Sequence, residues 1–342
     1  MQGGMHLVQI GTQASLAGGE VAATSVLRMK GWIDESDTET EYPPEAIGII
    51  SGQGRHAIKK KSATLALEET PVTFEQLPIF LDGALEAETA TQDGAGTDYI
   101  WLYTLPYSTA TSPGTNSFYT VEVGDEQQAR IMTGCFTESL TITGAGEAGW
   151  MYTPVLRGRP GGNTTFTGAV SIPTVEDVIF SRTKLYIDDV GTGFGSTLVS
   201  EPFLEFELTW ENIRRAIWAG AGLDQPYYSH VHYTGADQLS LTFTLSHESV
   251  AAAEIAVRDD TDLIGKPRAI RLVAEGETVA TPGTTYSKKT IIIDLAGTFN
   301  EAGEFSEDDG LVQYNFNFMN HYDATLGERG SITVVNELSA LP

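Results

Sequence analysis

His230 and His232 stand two positions apart, so both imidazoles share one face if their segment is extended. Such a pair is the start of a zinc site, but zinc needs further protein ligands. His56, His247 and His321 lie far away in sequence and cannot be assigned to it. Asp259, Asp260 and Asp262 carry part of a calcium-loop spacing. They lack its glycine and its terminal glutamate, and read as solvated charges at the end of a helix. Gly52-Gln53-Gly54 precedes basic residues without the lysine spacing or the following helix of a phosphate loop, and reads as a turn. Neither G-x-S-x-G nor H-E-x-x-H occurs. Among 46 acidic residues, naming two as acid and base would be arbitrary. The expectation is a chain with no catalytic residue, no cofactor and no metal: not an enzyme.

One dense basic cluster exists, Arg55 with Lys59, Lys60 and Lys61. It is too short, and too surrounded by acid, to hold nucleic acid. Its expected partner is the acidic run containing Glu35, Glu39 and Glu41, in the same subunit or a neighbour.

The elements that must position these residues are mostly strands. Glycine is abundant at 36 residues, and β-branched and aromatic residues recur along all 342 positions, which suits many short strands joined by turns. The net charge is -26 and the pI near 4.4. That surface repels nucleic acid and anionic membrane. No apolar run reaches the length of a membrane-spanning helix. The first 20 residues lack the basic and apolar regions of a signal peptide and read as an extended arm. The single cysteine, Cys135, is expected to be a small core or interface residue.

SATLALEE, from Ser62, alternates as a strand and leads into a helix. Thr73 is the expected N-cap, with Gln76 three residues on and Pro78 in the first turns. Phe74, Leu77, Leu81 and Leu85 form its packing stripe. Tyr99–Leu105 and Phe118–Val123 read as a long hairpin. Arg159–Asn163 is the linker candidate. TWENIRRAIWAG is ambiguous, because Trp210, Ile213 and Ile217 have helical spacing in a β context.

The strand-to-helix unit is written twice. LSLTFTLSHE, from Leu239, alternates and runs into an Ala-rich helix capped by Ser246 or Ser249. FYTVEVGD is matched by TIIIDLAG, and FTESLTIT by LVQYNFNF, all roughly 175 residues apart. A period this long points to a duplicated domain. The expected division is an arm over 1–20, one domain over 21–160 and a second over 161–342.

Three stretches carry a resemblance. GIISGQGRHAIKKKSATLALEETPVTFEQLPIFLDGALE, YTVEVGDEQQARIMTGCFTESLTITGAGEAGW and the closing SITVVNELSAL are similar, in order and character, to the major tail tube proteins of long non-contractile-tailed (siphovirus-type) bacteriophages and archaeal viruses. The resemblance spans about Leu27 to Leu341 and implies a mainly β fold. It would comprise two tandem tail-tube β-sandwich domains, each with a flanking helix, whose inner strands form a β-barrel on oligomerisation. It implies a virion protein, made in the host cytoplasm, that stacks as trimeric, pseudo-hexameric rings. Its partners would be other copies of itself, a tape-measure protein in the lumen, and tail terminator and distal tail proteins at the ends. DNA would pass without specific binding, and no membrane is involved. Glu122, Asp125, Glu126 and Asp294 are the expected lumen-facing carboxylates. Glu35, Glu39, Glu41, Arg55, Lys59, Lys60, Lys61, Tyr227 and Tyr228 are the expected inter-ring or inter-subunit contacts, on two long loops in equivalent positions. The alternative is a receptor- or carbohydrate-binding β-sandwich of a tail fibre or adhesin, using Tyr227, Tyr228 and Tyr233.

Overall fold

The computed structural model describes residues 6–43, 55–108, 116–125, 127–146, 148–220, 222–223, 225–235, 237–246, 265–300, 304–308 and 311–341. Strands take 56% and helices 4%, so the chain is mainly β. In order, the first half gives β1 (Leu7–Gln13), β2 (Ser25–Leu27), β3 (Gly31–Asp34), β4 (Glu39–Glu41), β5 (Ala57–Lys60), β6 (Ala63–Leu67), β7 (Thr70–Pro71), α1 (Leu77–Ala84), β8 (Thr91–Gln92), β9 (Tyr99–Thr104), β10 (Phe118–Gly124), β11 (Ala129–Ala145) and β12 (Gly149–Thr164). A 3-10 turn at Phe180–Arg182 leads into the second half. It gives β13 (Thr183–Asp189), β14 (Phe203–Glu211), β15 (Arg214–Ile217), β16 (His230–Tyr233), β17 (Gln238–Ser246), β18 (Pro267–Thr278), β19 (Lys288–Phe299), β20 (Glu304–Asp308), β21 (Leu311–Asn320) and β22 (Gly330–Asn336).

The first 20 residues are not wholly an arm. Val8 and Ile10 of β1 are fully buried, and β1 pairs antiparallel with β10 and β2. Nor do β9 and β10 form a hairpin. β10 pairs with β1 and β11, while β9 pairs with β22 of the second half. Alternation identified both strands but held no information on their partners. Position 160 falls inside β12, so a linker at Arg159–Asn163 is replaced by strand. TWENIRRAIWAG is β14 running into β15, turned at Asn212, whose φ of 53° interrupts any regular element.

α1 is shorter and deeper than a flanking helix. All eight of its residues are buried, as are Phe74 and Leu85 of the expected stripe. A helix whose one ionisable side chain, Asp82, is hydrogen-bonded by Tyr103 and Ser117 can lie inside. Thr73 does cap the turn leading in: Gln76 N–H donates to Thr73 Oγ1 at 3.2 Å. Tyr119 hydroxyl donates to Ile79 O at 3.0 Å and Thr137 hydroxyl to Phe80 O at 2.8 Å, tying α1 to β10 and β11. The second expected helix, with its cap at Ser249, lies outside the described residues; Ser246 ends β17.

Two four-strand ladders dominate the arrangement. The first runs β3-β6-β12-β11 and the second β14-β17-β21-β20, every neighbouring pair antiparallel. They are joined edge to edge by β11 and β14, from Leu140↔Trp210 to Ala145↔Glu205. β6 and β17 are the two copies of the alternating strand and hold the same ladder position. The third sequence match shifts by one strand: the topological counterpart of β21 is β12, not β11. Register shifts at Ile131/Met132, Thr133/Phe136 and Thr137/Ser139 bend β11. Its first part can therefore pair with β10 while its last part joins β14.

One side of the joined ladders is apolar. Leu65, Leu140, Ile142, Phe206, Leu208, Trp210, Leu241, Phe243, Phe316 and Phe318 all face one core shared by both halves. Gly144 permits the closest approach at the join. A Cβ there would stand 2.3 Å from the Phe206 ring, itself packed edge-on against Trp150.

Candidate functional site

Strand alternation gives the joined ladders a second face, opposite the core. Thr141 and Thr143 of β11, Glu205, Glu207 and Thr209 of β14, Ser240, Thr242 and Thr244 of β17, and Gln313, Asn315 and Asn317 of β21 lie on it. A groove of about 400 Å³ crosses the join, lined on this face by threonines, Glu205, Glu207, Asn315 and Asn317, with no Lys or Arg. Thr244 hydroxyl stands 3.0 Å from Glu205 Oε1 and 2.8 Å from Asn315 Oδ1, donating its one proton to either, so that it bridges three strands. The two arginines of β12 on this side are engaged. Arg157 pairs with Glu138 at 2.9 Å and with Asp37. Arg159 donates to Leu16 O at 3.0 Å and to Tyr228 O. Across the join and the second ladder the face presents carboxylates, hydroxyls and amides; on the first ladder it also carries Met151, Val155, Ala66 and Trp32, with Arg157 ion-paired and Arg159 held by backbone carbonyls.

The carboxylates named from sequence lie elsewhere. Glu122 is 3% exposed on β10; its carboxylate accepts Thr167 N–H at 2.7 Å and Thr167 hydroxyl at 2.6 Å. Asp294 is 6% exposed on β19 and accepts both Arg271 Nε at 2.6 Å and Nη2 at 2.8 Å. Burial pushes its carboxyl upward, and Arg271 pulls it back. Asp125 accepts the N–H groups of Gln127 and Gln128 in the β10–β11 turn, which hold its carboxyl below the usual range. Glu126 lies outside the described residues. None of the three described residues belongs to the polar face. β10 pairs with the first part of β11 and β19 with the end of β21, outside the joined ladders, and there Glu122 and Asp294 serve as buried hydrogen-bond anchors.

The two long loops meet each other within the chain. Lys61 N–H donates to Pro226 O at 2.9 Å, and its ammonium stands 5.5 Å from the Tyr227 ring. Lys60 stands 4.4 Å over Trp218. Tyr228 is fully buried, its hydroxyl donating to Gly134 O at 2.8 Å, and Tyr227 hydroxyl donates to Pro160 O at 2.9 Å. Lys59 pairs with Glu41 and Arg130 with Glu35, while Glu39 stands opposite Lys60 in the β4–β5 hairpin. Arg55 is exposed. The basic cluster therefore finds acid and aromatic partners in its own subunit. Tyr228, expected at an intermolecular contact, is instead a core residue of the loop junction.

Sequence reasoning missed Arg214, which ties the second half to α1, and Asp237, which gathers three donors within the second half. Arg214, buried at the start of β15, donates Nε to Ala84 O at 2.7 Å and Nη2 to Leu85 O, satisfying carbonyls at the end of α1. Burial lowers its pKa to about 10. Asp237 accepts Trp210 Nε1 at 2.8 Å, Tyr233 hydroxyl at 2.7 Å and Arg329 at 2.9 Å. The linear pattern did not mark Arg214 or Asp237, because Ala84, Leu85, Trp210 and Arg329 come to them from other elements. His230 and His232 share the exposed face of β16, and no group of three His, Cys, Asp or Glu side chains among the described residues is placed to hold a metal. Cys135 is buried, with its thiol pushed far up by desolvation.

The chain matches no protein-family model and no curated protein.

Proposed function

We propose that this chain is a structural subunit of a viral tail tube, three copies closing a ring whose joined ladders line a channel for DNA. One observation carries the reading. A four-strand ladder is present twice in one chain, and the two copies are joined edge to edge by β11 and β14. A sheet that already adds one ladder to the next has a geometry that repetition can extend and closure can complete. Closure also removes the open edges that would otherwise invite irregular association.

The polar face supports the same reading. Glu205 and Glu207 stand at the join among threonine, serine, asparagine and glutamine, and Arg157 nearby is paired with Glu138 and Asp37. Phosphate binding needs cations that release counterions. A lumen built on this face would let DNA slide without gripping it. The rings would stack around a tape-measure protein and end on terminator and distal tail proteins. The glycan-binding alternative draws no support from Tyr228 and Tyr233, which are buried.

Negative-stain microscopy of the purified protein over a range of salt and protein concentrations tests this. Stacked rings with a central channel are expected. Isolated globular particles under every condition would refute it.

A further inference from the structure

We propose that the outer edge of β3 in one copy pairs antiparallel with the outer edge of β20 in the next, forming the seam between chains. This rests on the tube reading and adds the identity of the meeting edges. Among the described residues, β3 pairs as a strand only with β6 and β20 only with β21; on the outer edge of β3, Gly31 N–H donates to His6 Nε2 at 3.2 Å, which leaves Ile33 as the position that offers its backbone to a neighbour. β3 and β20 are the two ends of the eight-strand run. Inside the chain, the last strand of the first ladder, β11, meets the first strand of the second, β14. The last strand of the second ladder is β20, and the first strand of the first is β3. The β20-to-β3 contact is therefore the same contact, made between copies, and it inherits the antiparallel direction.

Facing is fixed by alternation. Asp34 stands opposite Thr64 and Trp32 opposite Ala66, on the polar side of the ladder; both are exposed, Trp32 at 60%. Ser306 stands opposite Gln313, and Asn315 Nδ2 donates to Ser306 Oγ at 3.4 Å, which puts Ser306 on the polar side too. Glu307 stands opposite Val312 and points to the other side. Within the join, Thr143 faces Glu207 and Thr141 faces Thr209 on that same polar side. In the seam, Trp32 and Asp34 must accordingly meet Ser306, and not Glu307.

Cysteine cross-linking in the assembled full chain tests the seam. Trp32→Cys or Asp34→Cys is combined with Ser306→Cys, and each also with Glu307→Cys as an opposite-face control. Cys135 is buried and does not compete. Directly opposed strand residues lie close enough for a disulfide. The seam predicts that at least one same-face pair, mildly oxidised, gives a non-reducing gel ladder ending at three chains, while single variants and Glu307 pairs stay at one chain. Tubes in the micrographs with no cross-link from any same-face pair, or with equal cross-linking of the Glu307 controls, would overturn the seam while leaving the tube reading intact. Absence of tubes from the unmodified protein would overturn the tube reading itself.

Discussion

Leu140 of β11 and Trp210 of β14 stand directly opposite each other in an antiparallel ladder that runs on to Ala145 and Glu205. Both are buried, at 2% and 1% exposure, and Trp210 Nε1 donates to Asp237 at 2.8 Å. This pair marks where the two halves become one sheet. The surface that could have been two separate edges is a filled, hydrogen-bonded join.

The join depends on a missing side chain. Gly144 faces Phe206 across it, where a Cβ would clash with the ring at 2.3 Å. Gly144→Ala should destabilise the chain by about 1–3 kcal/mol, the usual cost of overpacking a filled site. Urea unfolding followed by tryptophan fluorescence reads this directly. An unchanged midpoint would mean that the Phe206 ring moves freely aside.

Asp82 sets a pH dependence. It is buried on α1, where Tyr103 hydroxyl donates to it at 2.6 Å and Ser117 hydroxyl at 3.1 Å. Burial is the largest influence and raises its pKa from 3.8 to about 6. The protonated form is thus the one the fold prefers. Its contribution is complete below the unfolded value, declines as pH rises through about 6, and leaves an ionised group costing about 3 kcal/mol at neutral pH. Asp82→Asn should therefore gain stability relative to the parent between pH 4 and pH 7.5. A stability difference that is flat across that window would reject the assignment.

Assembly should rise with ionic strength. The chain carries a net charge of -26, and the seam edges themselves bear Asp34 on β3 and Glu304, Glu307 and Asp308 on β20. Screening shortens the reach of that repulsion to about 10 Å at 0.1 M salt and about 3 Å at 1 M. Light scattering at fixed protein concentration should show larger assemblies as salt increases. Dissociation on adding salt would contradict the electrostatic account.

Reversing charge at the join should turn a slippery face into a retaining one. Glu205→Lys with Glu207→Lys puts two cations on the proposed channel surface without touching the core. Assembled variant tubes should retain labelled DNA at low salt and release it as salt rises, with a slope set by the phosphates contacted. Parent tubes should retain none. Equal retention by both would remove the polar face from the DNA path.

Alternation made the strands legible. Leu239, Leu241, Phe243 and Leu245 are buried on β17 as their spacing requires, and β6 holds the equivalent place in its own ladder. The helix start at Thr73 was legible for the same local reason. Partners were not. The period of two says which face of β9 is buried but not that its neighbour is β22, some two hundred residues away. The charged residues were the least legible. Glu122 and Asp294 look like surface carboxylates in the sequence, yet each is held inside by donors from distant segments. In FLEFELTW, Glu205 and Glu207 hold alternate positions, as the outward residues of any half-buried strand do. Their place at the join follows only from which strand β14 lies beside.

A cryo-electron microscopy cross-section of the assembled protein tests the central claim most directly. The account predicts a closed ring of three chains in which six ladders alternate around a channel, the in-chain join and the β3–β20 seam taking equivalent places, with Glu205 and Glu207 facing the lumen. Rings built from six whole chains, or a channel lined by β10 and β19 with Glu122 and Asp294 inward, would contradict it.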